Sequence, residues 1–170
     1  MEKLVIVING AGGVGKDTVC DIVSRHYLTK NISSITPIKE IAKFGGWNDE
    51  KTLAARKLLS DLKQAFNSYN DLSYKYIIDE YNGFLKSDAE ILFVHIREGG
   101  EIKRFLNSVP SRHITLLIKK SDGKGECYGN VSDDGVEDFN YDYTYFNDKS
   151  LCELEDDFMK FFENILKQSV

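Results

Sequence analysis

Residues Leu4 to Thr18 read LVIVINGAGGVGKDT, and this stretch decides the fold. It joins an apolar, β-prone run that ends at Ile8 to a glycine-rich loop, which a helical pattern follows. Glycines allow consecutive backbone N–H groups to turn towards a phosphate, and the N-terminus of the helix adds a positive end. Lys16 adds a full charge beside the outer phosphates. The stretch therefore predicts a strand, a phosphate-binding loop and a helix that together hold a nucleoside triphosphate.

The predicted loop, residues 10–18, departs from the usual pattern at one position. Its spacing fits G-x-x-x-x-G-K, but Asp17 stands where a magnesium-binding Ser or Thr is usual, and Thr18 follows it. Thr18, or a water held by Asp17, would complete the shell of a magnesium ion. The residues predicted to bind the nucleotide are Gly10, Ala11, Gly12, Gly13, Val14, Gly15, Lys16, Asp17 and Thr18.

Length and composition favour one domain that acts on small molecules. The chain has 170 residues and a net charge of −5, which predicts a single domain over 1–170 and gives no basic footprint for nucleic acid. Cys20, Cys127 and Cys152 lack the spacing of a zinc site or a disulfide framework, so we expect a reduced, cytoplasmic protein. The longest N-terminal apolar run is too short for a membrane span, so no membrane association is expected. No pattern predicts the oligomeric state.

The order of elements predicts a parallel, doubly wound sheet. Apolar runs predict strands at 3–9, 32–36, 91–96, 113–118 and 143–146. Helical patterns occupy the intervals at 16–29, about 38–86, 100–108 and from Ser150 onwards, where Glu153 completes a capping box. A parallel sheet with helices on its faces is the economical arrangement.

Phosphoryl transfer needs cations on both sides of the transferred group, and the sequence offers candidates for each side. Lys16 is predicted to serve the donor side. Arg97 follows the buried strand 91–96, and ligands of open α/β sheets gather at the carboxyl ends of strands, so Arg97 and Glu98 are expected near the loop. The alternative for Arg97 is an ordinary surface arginine. Arg104 and Arg112 could also close over the triphosphate, or be solvated.

Two cations in the helical stretch are candidates for the acceptor side. Apolar positions recur at helical spacing and predict a core-facing side, formed by Leu58, Leu62, Ala65, Phe66 and Tyr69. Arg56, Ser60 and Lys63 then share the opposite face. Arg56 and Lys63 are predicted to bind the acceptor, and a solvated charged face is the alternative reading of the same pattern.

With these residues in place, the chain resembles the nucleoside monophosphate kinase group of P-loop proteins, and most closely phage-type deoxynucleoside monophosphate kinases and their bacterial relatives. The resemblance rests on GKDT at 15–18, RKLLSDLK at 56–63, HIRE at 95–98 and NDKSLCEL at 147–154. It implies an α/β P-loop NTPase three-layer fold with a five-stranded parallel sheet flanked by helices. It further implies ATP with magnesium as donor, a monophosphate as acceptor and a flexible lid within about 120–141.

The resemblance also implies roles for individual residues. The loop would bind the ATP phosphates, and Arg56 and Arg97 would hold the acceptor phosphate, so that Lys16, Arg97 and Arg56 are the predicted catalytic residues. Lys63 and Glu98 complete the predicted acceptor site. The chain departs from the family at His95, where the phage enzymes tend to have Asp. It also has no arginine in 120–141, which leaves as substitutes Lys119, Lys120, Lys124, Arg104 and Arg112.

Three other functions remain open at this point. Similar sequence features also occur in kinases that act on phosphorylated metabolites other than nucleotides. A nucleotide-binding regulatory module with weak or no catalysis would fit His95 and the lid without arginines. A GTPase-like switch fits poorly, because the guanine-reading motif is only approached at 119–122 and no D-x-x-G follows a suitable strand.

Overall fold

The computed structural model describes residues 2–121 and 135–168. Its strands are β1 (Leu4–Asn9), β2 (Thr29–Ser33), β3 (Ile91–His95), β4 (Arg112–Lys119) and β5 (Tyr143–Phe146). They form one five-stranded sheet in the order β2-β3-β1-β4-β5, and β1 pairs in parallel with both β3 and β4. The predicted five-stranded parallel sheet is confirmed.

Helices lie between these strands. They are α1 (Lys16–Ser24), α2 (Thr36–Phe44), α3 (Leu53–Asn70), α4 (Leu72–Leu85), α5 (Gly99–Ser108) and α6 (Leu151–Gln168), with a short 3-10 turn at Val136–Asp138. The helix predicted at 16–29 ends at Ser24, and the strand predicted at 32–36 begins at Thr29. The reason is that the backbone oxygen of Leu28 accepts hydrogen bonds from the N–H groups of Glu90 (2.7 Å) and Ile91 (3.2 Å), so the chain is already extended there.

The chain forms two compact units, Met1–Asn31 with Asp88–Val170, and Ile32–Ser87. In the first, one face of the sheet packs against α1 and α6 in a continuous apolar core. Aromatic rings extend this core, with the ring centroids of Tyr145 and Phe158 4.8 Å apart in an edge-to-face arrangement. The single domain expected over 1–170 stays a prediction.

Helix α5, which follows β3 and precedes β4 in the chain, contributes buried apolar residues. Ile102 and Phe105 are both fully buried. Because successive side chains of a strand point to opposite faces, β1 offers Val5 and Val7 to the face of the sheet opposite the core of α1 and α6. Helices on both faces of a parallel sheet give the three-layer α/β fold that was predicted.

The α6 helix begins as predicted, directly after Ser150. The Ser150 hydroxyl donates to a Glu153 carboxylate oxygen at 2.5 Å, and the Ser150 N–H also bonds to this carboxylate, which is the glutamate half of a capping box. Leu154 and Phe158 are buried, whereas Leu151 is 84% exposed. Leu151 shares their face of the helix, so its exposure follows from its place as the first residue of the helix.

The second unit, Ile32–Ser87, contains α2, α3 and α4, which contact one another. These helices occupy the stretch predicted as helical at about 38–86. Pro37 stands in the first turn of α2, where its missing N–H is not needed. The Thr52 hydroxyl accepts a hydrogen bond from the Ala55 N–H at 3.1 Å and caps α3. The buried residues of these three helices are Ile38, Ala42, Ala55, Ser73, Ile77, Tyr81 and Phe84.

Candidate phosphate-binding site

The glycine-rich loop links the carboxyl end of β1 to the N-terminus of α1. Gly15 caps α1 with a φ of 95°, in the left-handed region that favours glycine. A Cβ atom at Gly15 would collide with the side-chain nitrogen of Asn147, and a Cβ atom at Gly10 would collide with the backbone oxygen of Ile118. The loop conformation therefore depends on glycine at both of its ends.

The Lys16 side chain folds back over this loop. Its Nζ donates to the backbone oxygens of Gly10 (2.5 Å) and Ala11 (2.8 Å). Burial, and then the nearby charge of Arg97, lower the pKa of Lys16 from 10.5 to about 8, against the opposite influence of Asp17 and Cys20. A buried ammonium beside a second cation is poorly stabilised by its surroundings, so an anion at this position would be attracted strongly.

Arg97 lies just beyond the carboxyl end of β3, as predicted from the rule that ligands gather at strand ends. It is the second residue after β3, and its charge acts on Lys16, so the structure brings together the two cations predicted for the transferred phosphoryl group. Glu98 is the N-cap of α5, and its backbone oxygen accepts from the Ile102 N–H at 3.0 Å. The roles of Arg97 and Glu98 towards an acceptor stay predictions.

Asp17 and Thr18 stand in the first turn of α1, and both side chains are exposed. Within residues 2–121 and 135–168, no group of three or more His, Cys, Asp or Glu side chains is arranged to hold a metal ion by itself. Magnesium usually keeps several waters and takes one or two protein oxygens together with substrate phosphates. The exposed oxygens of Asp17 and Thr18 at the phosphate loop fit that kind of shared site.

His95 ends β3 where many phosphate-loop proteins have an aspartate. Its Nε2 lies 3.9 Å from the Sγ of Cys20, a buried residue of α1. Burial, followed by the charges of Asp17 and Asp21, raises the pKa of Cys20, so the thiol stays protonated. The pair therefore supplies neither a carboxylate for a metal ion nor a thiolate nucleophile.

Two asparagines that the sequence analysis missed hold the loop in place. Asn147, directly after β5, donates from Nδ2 to the backbone oxygen of Val14 at 2.8 Å. Asn9, the last residue of β1, accepts from the Gly10 N–H at 2.9 Å and is 1% exposed. A buried polar residue that ends an apolar run was the available signal for Asn9, whereas nothing local marks Asn147.

Some of the other predicted cations lie away from the loop or already have partners. In the pairing of β1 with β4, Arg112 lies opposite Leu4, whereas Leu117 lies opposite Asn9 at the loop end of the sheet. Arg112 precedes Leu117 by five residues, which at about 3.3 Å per residue places it roughly 17 Å from that end. Its guanidinium donates to the backbone oxygen of Leu166 at 3.2 Å. The expectation that Arg112 closes over the triphosphate is therefore wrong, because strand register fixes it at the far end.

Lys119 ends β4 on the loop side, and its Nζ lies 2.6 Å from a carboxylate oxygen of Glu137. Arg104 is in the middle of α5. Lys124 and most of the predicted lid, 122–134, lie outside the described residues, and Lys120 immediately precedes Ser121. Ser121 is tied to the Asp148 carboxylate through its N–H at 2.9 Å and through its hydroxyl.

Arg56 and Lys63 are on α3 in the second unit, and the face assigned to them has to be corrected. The predicted apolar side is largely solvated, with Leu58 42% and Tyr69 83% exposed. Arg56, Ser60 and Lys63 are instead only partly accessible. The apolar residues do share one side of this helix, but that side is largely exposed, so helical spacing alone did not identify the covered side.

Solved structures that match the chain at TM-scores above 0.5 support the fold. The chain matches shikimate kinase from Aquifex aeolicus with 13% identity, 95% of this chain and 98% of that chain covered, and a TM-score of 0.56. It matches the protein TT1252 from Thermus thermophilus with 15% identity, 99% and 98% coverage, and a TM-score of 0.55. An APS kinase from Mycobacterium tuberculosis aligns over 95% of this chain and 98% of its own, at 10% identity and a TM-score of 0.44.

No protein-family model matches the chain, and no curated protein matches its sequence. Among the described residues, no helix is long and apolar enough to cross a membrane. At these identities the structural matches establish the fold alone. The chain has a three-layer α/β P-loop fold, with a five-stranded parallel sheet flanked by helices.

Proposed function

We propose that this protein is an ATP-dependent phosphotransferase that moves the γ-phosphoryl group of ATP to a nucleoside or deoxynucleoside monophosphate. The observation that carries the proposal is the Lys16 ammonium, folded over a glycine loop at the N-terminus of α1, with the charge of Arg97 beside it. Backbone N–H groups, a helix N-terminus and two cations form an environment for a polyphosphate. The matched shikimate kinase has the same fold, which is compatible with a kinase but does not identify the acceptor.

In the proposed reaction an oxygen of the acceptor phosphate attacks the γ-phosphorus, and the bond to the β–γ bridging oxygen breaks, so ADP leaves. Lys16 binds the outer phosphates of the donor, and Arg97 offsets the charge on the transferred group. Asp17 and Thr18 would hold magnesium through an oxygen or a water, and the metal would neutralise phosphate charge. The chain's own contribution is positioning and charge, because phosphoryl transfer needs little covalent chemistry from the protein.

The acceptor side of the proposal rests on α3. Arg56 and Lys63 are partly covered, whereas Lys57 on the same helix has a side chain that is 76% exposed and pairs with Asp61. A solvated charged face was the alternative for Arg56 and Lys63, and their reduced exposure argues against it. We assign Arg56, Lys63, Arg97 and Glu98 to binding of a small phosphorylated acceptor in a cytoplasmic enzyme.

A nucleotide-binding module with weak or no catalysis is the second candidate, and His95 favours it. A strand that ends in His95 rather than in Asp offers no carboxylate to orient a metal ion. The Lys119 ammonium, a possible replacement for a lid arginine, is engaged by Glu137. Such a module would bind ATP through the same loop without turnover.

The test is ADP formation from Mg-ATP with a panel of ribo- and deoxyribonucleoside monophosphates, phosphomevalonate, shikimate and a control without acceptor. ADP that depends on a monophosphate would support the proposal and name the substrate. Lys16→Ala should abolish transfer and keep the fold, as judged by circular dichroism. Arg56→Ala and Lys63→Ala should raise the acceptor KM, whereas the matched control Lys57→Ala should not.

Other outcomes would change the assignment. Turnover only with a non-nucleotide acceptor would move the substrate to another phosphorylated or hydroxylated metabolite. ATP binding without turnover on any acceptor would support the module. Phosphate release without an acceptor would favour a switch-type hydrolase, and full activity in Lys16→Ala would remove the site from consideration.

A further inference from the structure

A buried amide joins the phosphate loop to the segment that carries Arg97. Asn9 is 1% exposed and ends the central strand of the sheet. Its Oδ1 accepts from the Gly10 N–H at 2.9 Å. Its Nδ2 lies 3.0 Å from the backbone oxygen of Arg97 and 2.7 Å from the hydroxyl oxygen of Tyr141. One side chain thus contacts three segments that are far apart in sequence.

The direction of every bond in this group is fixed by chemistry. The Gly10 N–H can only donate, so the amide atom that faces it must be the oxygen. Both hydrogens of Nδ2 then point to the Arg97 carbonyl and to Tyr141. The Tyr141 hydroxyl accepts from Asn9 and donates its own hydrogen to the backbone oxygen of Val136 at 2.7 Å. No other side chain of similar size could make the same three bonds, because none combines one acceptor with two donors.

Tyr141 remains a donor over the whole physiological range. Burial, the largest influence, raises its pKa to about 12, although the hydrogen bond from Asn9 acts in the opposite direction. A phenol that keeps its proton preserves the bond to Val136, which is itself 3% exposed. Tyr141 therefore anchors the amide of Asn9 from the side opposite the loop.

An aliphatic residue would satisfy the strand pattern at this position better than asparagine does. β1 is buried along its whole length, and Val7, two residues earlier on the same face, is fully buried and apolar. A leucine at position 9 would remove the bond of the buried Gly10 N–H and the bond from Asn9 to the part-buried Arg97 oxygen, and both losses are costly. The polar residue thus stands where the two cation-bearing segments must be held together.

We propose that Asn9 is a positioning residue that holds the Arg97 backbone against the start of the phosphate loop, with Tyr141 as its anchor. The catalytic meaning of this role rests on the proposed phosphotransferase function. The spacing of the Arg97 guanidinium and the Lys16 ammonium then depends on an amide that touches neither substrate nor reacting atoms. This role differs from packing, because Asn9 acts on the Arg97 backbone through a hydrogen bond to one carbonyl oxygen.

The proposal is tested by amide hydrogen exchange and by kinetics in Asn9→Leu. Exchange is followed by mass spectrometry, without nucleotide, in peptides that cover Gly10 and residues 96–98. If Asn9 holds these two segments together, exchange in both should become about tenfold or more faster than in the wild type. In kinetics, kcat should fall about tenfold or more with the KM for ATP nearly unchanged.

Two further variants separate positioning from general loss of packing. Val7→Ala makes a cavity on the same face of β1 and should lower the melting temperature without a selective rise in exchange at 96–98. Tyr141→Phe removes one oxygen atom, should speed exchange at 96–98 less than Asn9→Leu does, and carries the test if Asn9→Leu does not fold. Unchanged exchange at 96–98 in the foldable variants, or an equal rise in Val7→Ala, would overturn the proposal.

Failure of this proposal and failure of the proposed function are distinguishable. The hydrogen-exchange measurement needs no nucleotide and reports on the segment that carries Arg97. ATP binding and turnover by the wild-type protein test the phosphotransferase separately. A protein without turnover but with faster exchange at 96–98 in Asn9→Leu would keep the positioning role and reject the enzyme.

Discussion

Lys16 should make the stability of this fold depend on pH in the alkaline range, and Lys16→Met should remove that dependence. The pKa of Lys16 is about 8 in the folded protein, against 10.5 for the unperturbed group, chiefly because the ammonium is buried and secondly because Arg97 is near. Between these two values the unfolded chain binds more protons than the folded one. Stability therefore rises with pH across this window.

The magnitude follows from the same two values. The difference between the folded value of about 8 and the unperturbed value of 10.5 corresponds to about 3 kcal/mol, most of which is recovered between pH 7 and pH 10. Other groups titrate there too, among them Tyr27 and Tyr145, whose pKa values are raised by burial. They contribute equally to both proteins, so the wild-type value minus the Lys16→Met value isolates Lys16.

The assay is urea unfolding of both proteins at pH 7, 8, 9 and 10, followed by circular dichroism. The difference in free energy of unfolding should shift in favour of the wild type by about 2 to 3 kcal/mol over this range, most steeply near pH 9. Lys57→Met, at an exposed position of α3, is the matched control and should show no such trend. A difference that stays constant within about 0.5 kcal/mol would refute the argument that the folded chain buries Lys16 beside Arg97.

Two further predictions concern backbone geometry. Gly13→Ala introduces only the strain of a φ of 76°, whereas Gly15→Ala also adds a collision with Asn147. Gly15→Ala should therefore lower the melting temperature more than Gly13→Ala does. The double variant Gly15→Ala with Asn147→Ala should recover only part of that loss. Equal effects of Gly13→Ala and Gly15→Ala would show that the collision is relieved without cost. Thr52→Ala removes the cap of α3 and should lower the free energy of unfolding by about 1 kcal/mol in urea titrations, with ATP binding unaffected; a loss of ATP binding would contradict a purely local role.

The fold was predictable because its signals are local. The run from Leu4 to Ile8 is apolar throughout, as a strand covered on both faces must be, and the glycine loop follows it directly. The strands 91–96 and 143–146 are recognisable for similar reasons, since each is short and bounded by turn residues. Parallel pairing of strands separated by helices then leaves few topologies.

The parts of the site that were not predicted depend on contacts between distant residues. Asn9 meets Tyr141 across 132 positions, and Asn147 meets Val14 across 133, so no spacing rule connects them. Arg112 looked suitable by charge, but the register of β4 against β1 places it at the far end of the sheet. The covered face of α3 was also unpredictable, because its apolar side is largely exposed and only tertiary packing decides which side is buried.

The cations at the loop argue for an anionic ligand on energetic grounds. Holding the Lys16 ammonium in a buried position near Arg97 costs about 3 kcal/mol at neutral pH, which is a large share of the stability of an ordinary domain. A neutral side chain at position 16 would avoid this penalty without disturbing the strand, the glycines or the apolar core. The Asn9 amide holds the Arg97 backbone near the loop, so the free-energy cost of placing Lys16 near Arg97 remains. A polyphosphate between the two cations, as the proposed function requires, would reverse the sign of this electrostatic contribution.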